Sequence, residues 1–121
     1  MKVRRLNFFT WIASKAPRVT EALPLAMLIT DEDGRCVYSN AAYQKLCGWS
    51  AADLIGSYWS AVIDPRDHDA ALFWWQKAID GHGFFGQEVR IRRADGEVVW
   101  TRRNGAPLHD GVPGHHYIHT I

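Results

Sequence analysis

The most constraining feature of the sequence is a series of turn and helix-capping signals between positions 28 and 56. An apolar run ends at positions 31–34, Asp-Glu-Asp-Gly, and the β-type run Cys-Val-Tyr follows at 36–38, which is the pattern of a β-hairpin. Ser39 and Asn40 can each cap a helix that begins near Ala41, and Gly48 can end that helix in the left-handed conformation. The stretch therefore predicts two paired strands followed directly by a short capped helix and, at 50–53, by the capped start of a second helix.

The same stretch resembles the beginning of a PAS domain, a small sensory fold of signalling proteins. The matching segments, in order, are Asp33-Gly34, Tyr38-Ser39-Asn40, Leu46-Cys47-Gly48-Trp49-Ser50 and Asp53-Leu54-Ile55-Gly56. Their order and spacing carry the resemblance. It implies an α+β fold with a five-stranded antiparallel sheet, helices packed on one face of that sheet, and an N-terminal flanking helix.

The rest of the chain agrees with this fold class. Asp64 and Pro65 form a helix start, a capping carboxylate followed by proline at the first helical position, and the helix is expected to run to Asp80. Residues 84–108 are expected to form a long hairpin, and 115–121 a last strand. We therefore predict a flanking helix and linker at 1–22 and a PAS domain at 23–121. The resemblance implies that an output domain follows beyond the last strand.

The bulk properties of the chain exclude several classes of function. Its 121 residues carry a formal net charge of +1, so we expect no direct binding of nucleic acid by this domain. No apolar run approaches the ~20 residues that cross a bilayer, so no membrane association is expected. Cys36 and Cys47 lack a Cys-x-x-Cys spacing, which favours two reduced thiols in a cytoplasmic protein.

The loop of the long hairpin decides which residues face the helices, because a one-residue slip exchanges the two faces of a strand. A two-residue turn at Asp95 and Gly96 would turn Trp100 and Arg102 inward; the resemblance favours a three-residue loop that also includes Ala94. The inner face then comprises Gln87, Val89, Ile91, Val99, Thr101, Arg103 and, on the last strand, His116, Ile118 and Thr120. The outer face carries Arg90, Arg92, Trp100, Arg102, His115, Tyr117 and His119.

Polar side chains on this otherwise apolar inner face are candidates for the specific contacts of a small-molecule pocket. Arg103 is the most informative, because a buried guanidinium needs a partner and a ligand carboxylate can bind it through two hydrogen bonds. The alternative is an arginine at the sheet margin that pairs with Asp or Glu or reaches water. The candidate ligand-binding residues are Tyr58, Trp59, Trp75, Gln87, Thr101, Arg103 and His116. Their aromatic members can equally be plain core.

The resemblance also allows the known PAS cofactors to be tested against the sequence. Flavin-binding LOV domains carry a reactive cysteine shortly after the position that matches Gly56, and Trp59 stands there in this chain. Haem would need an axial histidine in the long helix, where His68 is the only histidine and lies near the first turn. We therefore expect neither flavin nor haem, while a small organic ligand remains possible.

Nothing in the sequence predicts a metal site or an enzyme. The histidines at 115, 116 and 119 lack the His-x-His spacing of a metal site on a strand, because Tyr117 intervenes. No Ser/His/Asp spacing, phosphate-binding loop or paired carboxylates point to catalysis.

The first residues of the chain predict an amphipathic helix that Pro17 ends. A single helix of this length is marginal in water and needs a surface to pack on. The resemblance implies a flanking helix at a homodimer contact. The expected interface residues are Leu6, Phe9 and Ile12 of the helix, with Trp100 and Tyr117 of the outer sheet face.

These expectations combine into a sensory domain that binds a small molecule between sheet and helices. Ligand binding would rearrange the dimer and pass the signal to a downstream output domain, either a transcriptional regulator or a histidine kinase. The alternative is a ligand-free PAS module that only dimerises or docks partners. That alternative predicts a filled core in which Arg103 is satisfied by the protein itself.

Overall fold

The capping signals have the predicted local structures in the computed structural model of the protein, which describes residues 24–81, 83–108 and 116–121. The Asn40 side chain accepts a hydrogen bond from the Tyr43 amide at 2.9 Å, and Gly48 ends the helix with φ of 78°. The Ser50 hydroxyl caps the next helix by accepting from the Asp53 amide at 3.2 Å. These local bonds place the first hairpin and two short helices as expected.

Nine elements make up the described part of the chain. In order they are β1 (Met27–Thr30), β2 (Cys36–Ser39), α1 (Ala41–Cys47), α2 (Ala51–Leu54), a 3₁₀ helix (Trp59–Val62), α3 (Pro65–Gly81), β3 (Phe85–Arg92), β4 (Val98–Leu108) and β5 (His116–Thr120). The flanking helix expected at 1–22, with its interface residues Leu6, Phe9 and Ile12, lies outside the described residues, and so does His115.

The strands form one antiparallel sheet in the order β2-β1-β5-β4-β3. The main apolar core lies between this sheet and the helices, and it contains Trp75 of α3 together with Val89 and Ile91 of β3. The last strand along the chain is therefore the central strand of the sheet. This is the predicted α+β fold class with five antiparallel strands.

The long hairpin has the predicted three-residue loop. Gly96 adopts a φ of 89°, which favours glycine, and the Arg93 amide donates to the Glu97 carbonyl oxygen across the loop. Val89 pairs with Thr101, and Gln87 pairs with Arg103. The inner face of β3 and β4 is therefore the one that the sequence predicted.

The predicted faces of β5 are wrong. Gly105 pairs with His119, and because directly opposed residues share a face, His119 and Tyr117 point to the core side. Tyr117 is fully buried there, so it does not lie on the outer face or at a dimer interface as predicted. His116 lies on the opposite face, because adjacent residues of a strand alternate, and it does not join the predicted ligand-binding residues.

The position of β5 explains this difference. The sequence analysis predicted Ile118 on the inner face, together with His116 and Thr120. A central strand buries both faces, however, and Ile118 packs against Ile29 in a second cluster on the outer side of the sheet. On the inner side, Gly105 has no side chain and leaves room for large rings beside it.

A buried carboxylate ties the start of α3 to the edge strand β3. The Asp64 side chain is inaccessible to solvent; one of its oxygens accepts from the Arg66 amide at 3.0 Å and from Arg66 Nε at 2.8 Å. Its other oxygen accepts from Arg92 Nη2 at 3.2 Å. Hydrogen bonds from Arg66, and then from Arg92, hold the pKa of the Asp64 carboxyl well below its usual range.

We expect Asp64→Asn to destabilise the protein at pH 7 and progressively less in acid. The folded pKa of Asp64 lies below the unfolded value of about 3.9. The ionised carboxylate therefore stabilises the fold above roughly pH 4, and this contribution is lost as the pH falls through the folded pKa. Urea unfolding between pH 7 and pH 3 measures the difference, with Asp69→Asn at an exposed position of α3 as the control. A difference between wild type and Asp64→Asn that stays constant over this range would contradict the expectation.

Candidate functional site

A cluster of aromatic rings fills the space between the helices and the centre of the sheet. The ring centroids of Trp59 and Trp75 are 5.5 Å apart, and His119 stacks on Trp75 at 5.2 Å. Phe85 meets the Trp75 ring edge-on at 5.7 Å, and Tyr117 meets it at 5.0 Å. Trp75 is therefore the hub of the cluster, and both tryptophans predicted as pocket walls lie in it.

Arg103 lies at the edge of this cluster with its side chain completely buried. Its Nη2 donates to the Tyr43 hydroxyl at 3.0 Å, and its Nη1 lies 3.4 Å from Nδ1 of His119. The guanidinium carbon sits 5.3 Å from the centroid of Trp59 and 5.6 Å from that of Tyr43. The contacts of the charge are thus a hydroxyl, an imidazole and two aromatic rings.

The chemistry of arginine fixes the tautomer of His119. A guanidinium only donates hydrogen bonds, so Nδ1 of His119 is the acceptor and the ring proton is on Nε2. That Nε2–H donates to the Thr30 hydroxyl at 3.0 Å. Burial, and then the charge of Arg103, lower the pKa of His119 well below its ordinary value. His119 is therefore neutral and ties Arg103 to β1.

No described carboxylate neutralises Arg103. Neither an ion pair nor a hydrogen bond joins its guanidinium to an Asp or Glu in the described ranges, and its buried Nε has no hydrogen-bond partner there. Burial, the largest effect, raises the pKa of Tyr43, so this partner is a neutral phenol at physiological pH. Within the described part of the chain, Arg103 therefore neither pairs with an Asp or Glu at the sheet margin nor reaches water.

An unpaired buried charge is energetically unfavourable. The effective penalty for removing an ion from water is on the order of several kcal/mol in proteins. Two cation–π contacts of up to about 2 kcal/mol each, when desolvated, offset part of it. The arrangement is suited to an anion: a carboxylate can accept from Nε and one Nη at the same time and bring the missing negative charge.

The other predicted ligand-binding residues are distributed more widely. Gln87 is paired with Arg103 across the hairpin and donates from its amide to the Ala71 carbonyl oxygen at 3.4 Å. The Thr101 hydroxyl donates to the Val89 carbonyl oxygen at 2.9 Å. Both lie on the inner face with their polar groups engaged by backbone. Tyr58 does not belong to the site, since its side chain is about half exposed and its hydroxyl accepts from Arg35 Nη2 at 3.1 Å.

Sequence reasoning missed four residues of this site: Tyr43, Phe85, Tyr117 and His119. The signal for Tyr43 was present, because it lies three residues after the Asn40 cap on a helix that must pack on the sheet. His119 was placed on the wrong face with the rest of β5. Phe85 would have followed from its pairing with Gly105, which the predicted hairpin loop implies.

Other chemistry finds little support in the described residues. Among residues 24–81, 83–108 and 116–121, no group of three or more His, Cys, Asp or Glu side chains is arranged to hold a metal ion. Cys36 and Cys47 are buried free thiols, and burial raises the pKa of Cys36 to about 11, which makes it a poor nucleophile. No helix in that part of the chain is long and apolar enough to cross a bilayer.

The five-stranded sheet, the helices on one face and the order β2-β1-β5-β4-β3 define the class of the protein as PAS-like. A family model described as "PAS fold" matches residues 16–119, and the chain belongs to the PAS family. Among solved structures, the PAS domain of a Colwellia psychrerythraea protein is similar, with 21% identity and a TM-score of 0.75 over 89% of this chain and 94% of that chain. A PAS domain from a two-component sensor histidine kinase has 15% identity and a TM-score of 0.73 over 87% and 89% of the two chains.

Sequence similarity points in the same direction. The C4-dicarboxylate transport sensor protein DctS of Rhodobacter capsulatus is 33% identical over 101 residues, which cover 78% of this chain and 15% of DctS. The chain thus spans only a small part of that relative. A LOV domain from an Erythrobacter litoralis blue-light activated histidine kinase has 23% identity and a TM-score of 0.68 over 82% of this chain and 95% of that domain, which indicates a shared fold. The chain is a sensory PAS domain of the kind found in signalling proteins.

Proposed function

We propose that this PAS domain senses a small carboxylate, which binds the guanidinium of Arg103 between the sheet and the helices. The observation that carries the proposal is a completely buried arginine whose described partners are all neutral and whose Nε has no partner. A neutral ligand leaves the charge uncompensated. A carboxylate offsets the penalty of the buried charge, and this difference is what makes the site selective for anions.

The contacts of Arg103 with its neighbours suggest how ligand binding is transmitted to the sheet. A carboxylate on Arg103 competes with His119 Nδ1 for the guanidinium, and His119 also bonds Thr30 of β1. The competition acts on β5, the central strand and the last element of the described chain. We propose that two packings of this strand exchange population when ligand binds and that the change passes to an output domain, a histidine kinase or a transcriptional regulator.

Homodimerisation is the second part of the proposal. Trp100 lies on the outer face of the sheet with 66% of its side chain exposed, and the Arg90 guanidinium lies 4.7 Å from its ring centroid. Arg90 in turn forms a bidentate salt bridge with Asp67 near the start of α3, with Nη2–Oδ1 at 2.7 Å. A partner copy that packs on Trp100 therefore contacts a residue coupled to the helix layer. On this proposal the domain is a non-enzymatic, cytoplasmic module. It binds neither nucleic acid nor membrane.

Calorimetric titration with matched carboxylates and amides tests the ligand class. The panel pairs acetate with acetamide, benzoate with benzamide, and succinate with succinamide. Succinate is included because the name of the relative DctS refers to C4-dicarboxylate transport. We expect at least one carboxylate to bind at pH 7 and its amide to bind at least about tenfold more weakly, which corresponds to 1.4 kcal/mol. Equal affinities within every pair, or no binding at all, would contradict the proposal.

A second function is favoured by the aromatic cluster itself. Trp59, Trp75 and Phe85 fill the space where a ligand would sit, as expected for a ligand-free PAS module that only dimerises or docks partners. This alternative predicts a dimer without bound metabolite in native mass spectrometry of the purified protein. It also predicts no response to any carboxylate in the titration above.

A further inference from the structure

We infer that Phe85 is the gate of the Arg103 site and that the ligand is a small aromatic carboxylate, whose ring takes the place of the Phe85 ring. This inference rests on the proposed function and names the class of carboxylate. Phe85 is the first residue of β3 and pairs with Gly105 of β4. Its ring lies directly over that glycine, because a Cβ added to Gly105 would fall 2.0 Å from the ring.

The space that Phe85 occupies has the shape of a slot for one flat ring. Gly105 forms its floor, and the rings of Trp75 and His119 meet Phe85 edge-on at 5.7 and 5.5 Å. Trp59 closes it at 6.3 Å. Edge-to-face contacts of this kind favour an aromatic occupant over an aliphatic one of the same size.

The Phe85 ring also separates the aromatic cluster behind it from solvent. A surface cavity of about 350 Å³ borders it on the side of α3 and is lined by Trp74, Lys77 and Gly83, among others. A second surface cavity, of about 260 Å³, is lined by Asn104, Ala106 and Ile118, so it lies on the outer face of the sheet and gives no access to the aromatic cluster. Phe85 lies in the wall of the first cavity, so a rotation of its side chain toward that cavity opens a path to the aromatic cluster.

The neighbourhood of Phe85 permits such a rotation. Gly86 follows it directly in sequence and Gly83 lies two residues before it, and neither carries a side chain that blocks the movement. Phe85 itself is only partly buried, unlike the two tryptophans behind it. Lys77 lies in the wall of the larger cavity and places a positive charge at the mouth, which attracts an anion.

A bound aromatic acid would supply the negative charge that the site lacks. Its ring replaces Phe85 against Trp75 and His119, and its carboxylate points toward Arg103, which already contacts His119 through Nη1. The carboxylate then accepts from Nε, the donor without a partner, and displaces the weak contact to Nδ1. Benzoate is the simplest molecule with this chemistry, whereas acetate and succinate carry the charge without the ring.

Titration of the full chain with benzoate, acetate and succinate tests this inference. We expect wild-type protein to bind benzoate at least about tenfold more tightly than either aliphatic acid, a preference that needs no variant to measure. Phe85→Ala empties the slot, so the ligand no longer displaces a ring, and we expect its affinity for benzoate to rise at least about tenfold further. Phe73→Ala, at an exposed phenylalanine of α3 with 55% exposure, is the matched control and should bind as wild type.

The outcomes separate the two levels of the proposal. If acetate or succinate binds as tightly as benzoate, or if Phe85→Ala binds benzoate no better than wild type, the aromatic ligand and the gate are wrong while carboxylate sensing stands. If no carboxylate binds wild type or Phe85→Ala, both the proposed function and this inference fail. Stopped-flow binding adds a check, because a gate predicts faster association of benzoate with Phe85→Ala than with wild type or Phe73→Ala.

Discussion

Arg103→Met is expected to abolish carboxylate binding, with a loss of affinity of at least about 30-fold. Methionine fills much of the space of the arginine stem without a charge. Truncating one partner of a buried, hydrogen-bonded charge pair typically costs about 2–5 kcal/mol, and the lower limit corresponds to the 30-fold loss. Calorimetric titration of wild type and variant with the tightest-binding acid of the panel measures this ratio.

The neighbouring arginine provides a matched control. Arg102 precedes Arg103 in β4, but its side chain lies on the outer face and is exposed. Arg102→Met removes the same charge from the net total without touching the buried site. It should bind the ligand as wild type does. Equal losses in the two variants would mean that the acid responds to the overall charge of the domain and not to the buried guanidinium.

Trp75→Ala is expected to lower the free energy of unfolding by about 3–5 kcal/mol, the range for removing a large aromatic side chain from a core. Trp75 is 6% exposed and contacts the rings of Trp59, Phe85, Tyr117 and His119. An alanine at this position leaves a cavity between these four rings, because it removes the one ring that all of them contact. Urea unfolding followed by far-UV circular dichroism measures the change.

The adjacent tryptophan separates a core effect from a helix effect. Trp74 lies on the same helix with 52% of its side chain exposed. Trp74→Ala changes the same residue type in the same α3 and should shift stability by no more than about 0.5 kcal/mol. A similar loss in both variants would show that the aromatic cluster around Trp75 does not dominate the core.

Local signals and the family resemblance together predicted the fold. The Asn40 cap, the Gly48 terminus and the hairpin loop at 94–96 each depend on backbone chemistry within a few residues, and each has the expected geometry. The register of β3 and β4 followed from the three-residue loop, which the resemblance favoured over a two-residue turn. It placed Arg103 correctly on the inner face, where the structure buries it completely.

The parts of the site that were missed depend on contacts between distant residues. The face of β5 is set by pairing with β1 and β4, and residues 109–115 before it give no turn signal as specific as the loop at 94–96. His119 is polar, and its burial is explained only by its simultaneous bonds to Thr30 and Arg103. Tyr58 and Trp59 were both predicted to wall the pocket, yet at the start of the 3₁₀ helix Tyr58 is half exposed and Trp59 is buried.

The central claim is that a carboxylate binds the guanidinium of Arg103, and the side-chain Nε–H resonance of that residue tests it most directly. The peak is assigned in a ¹⁵N-edited spectrum by its disappearance in Arg103→Met. Because Nε is the buried donor without a partner, we predict a saturable downfield shift of its proton as the tightest-binding acid is added, and no shift with the matching amide. A titration that saturates elsewhere in the spectrum but leaves the Arg103 Nε–H resonance unmoved would contradict the account.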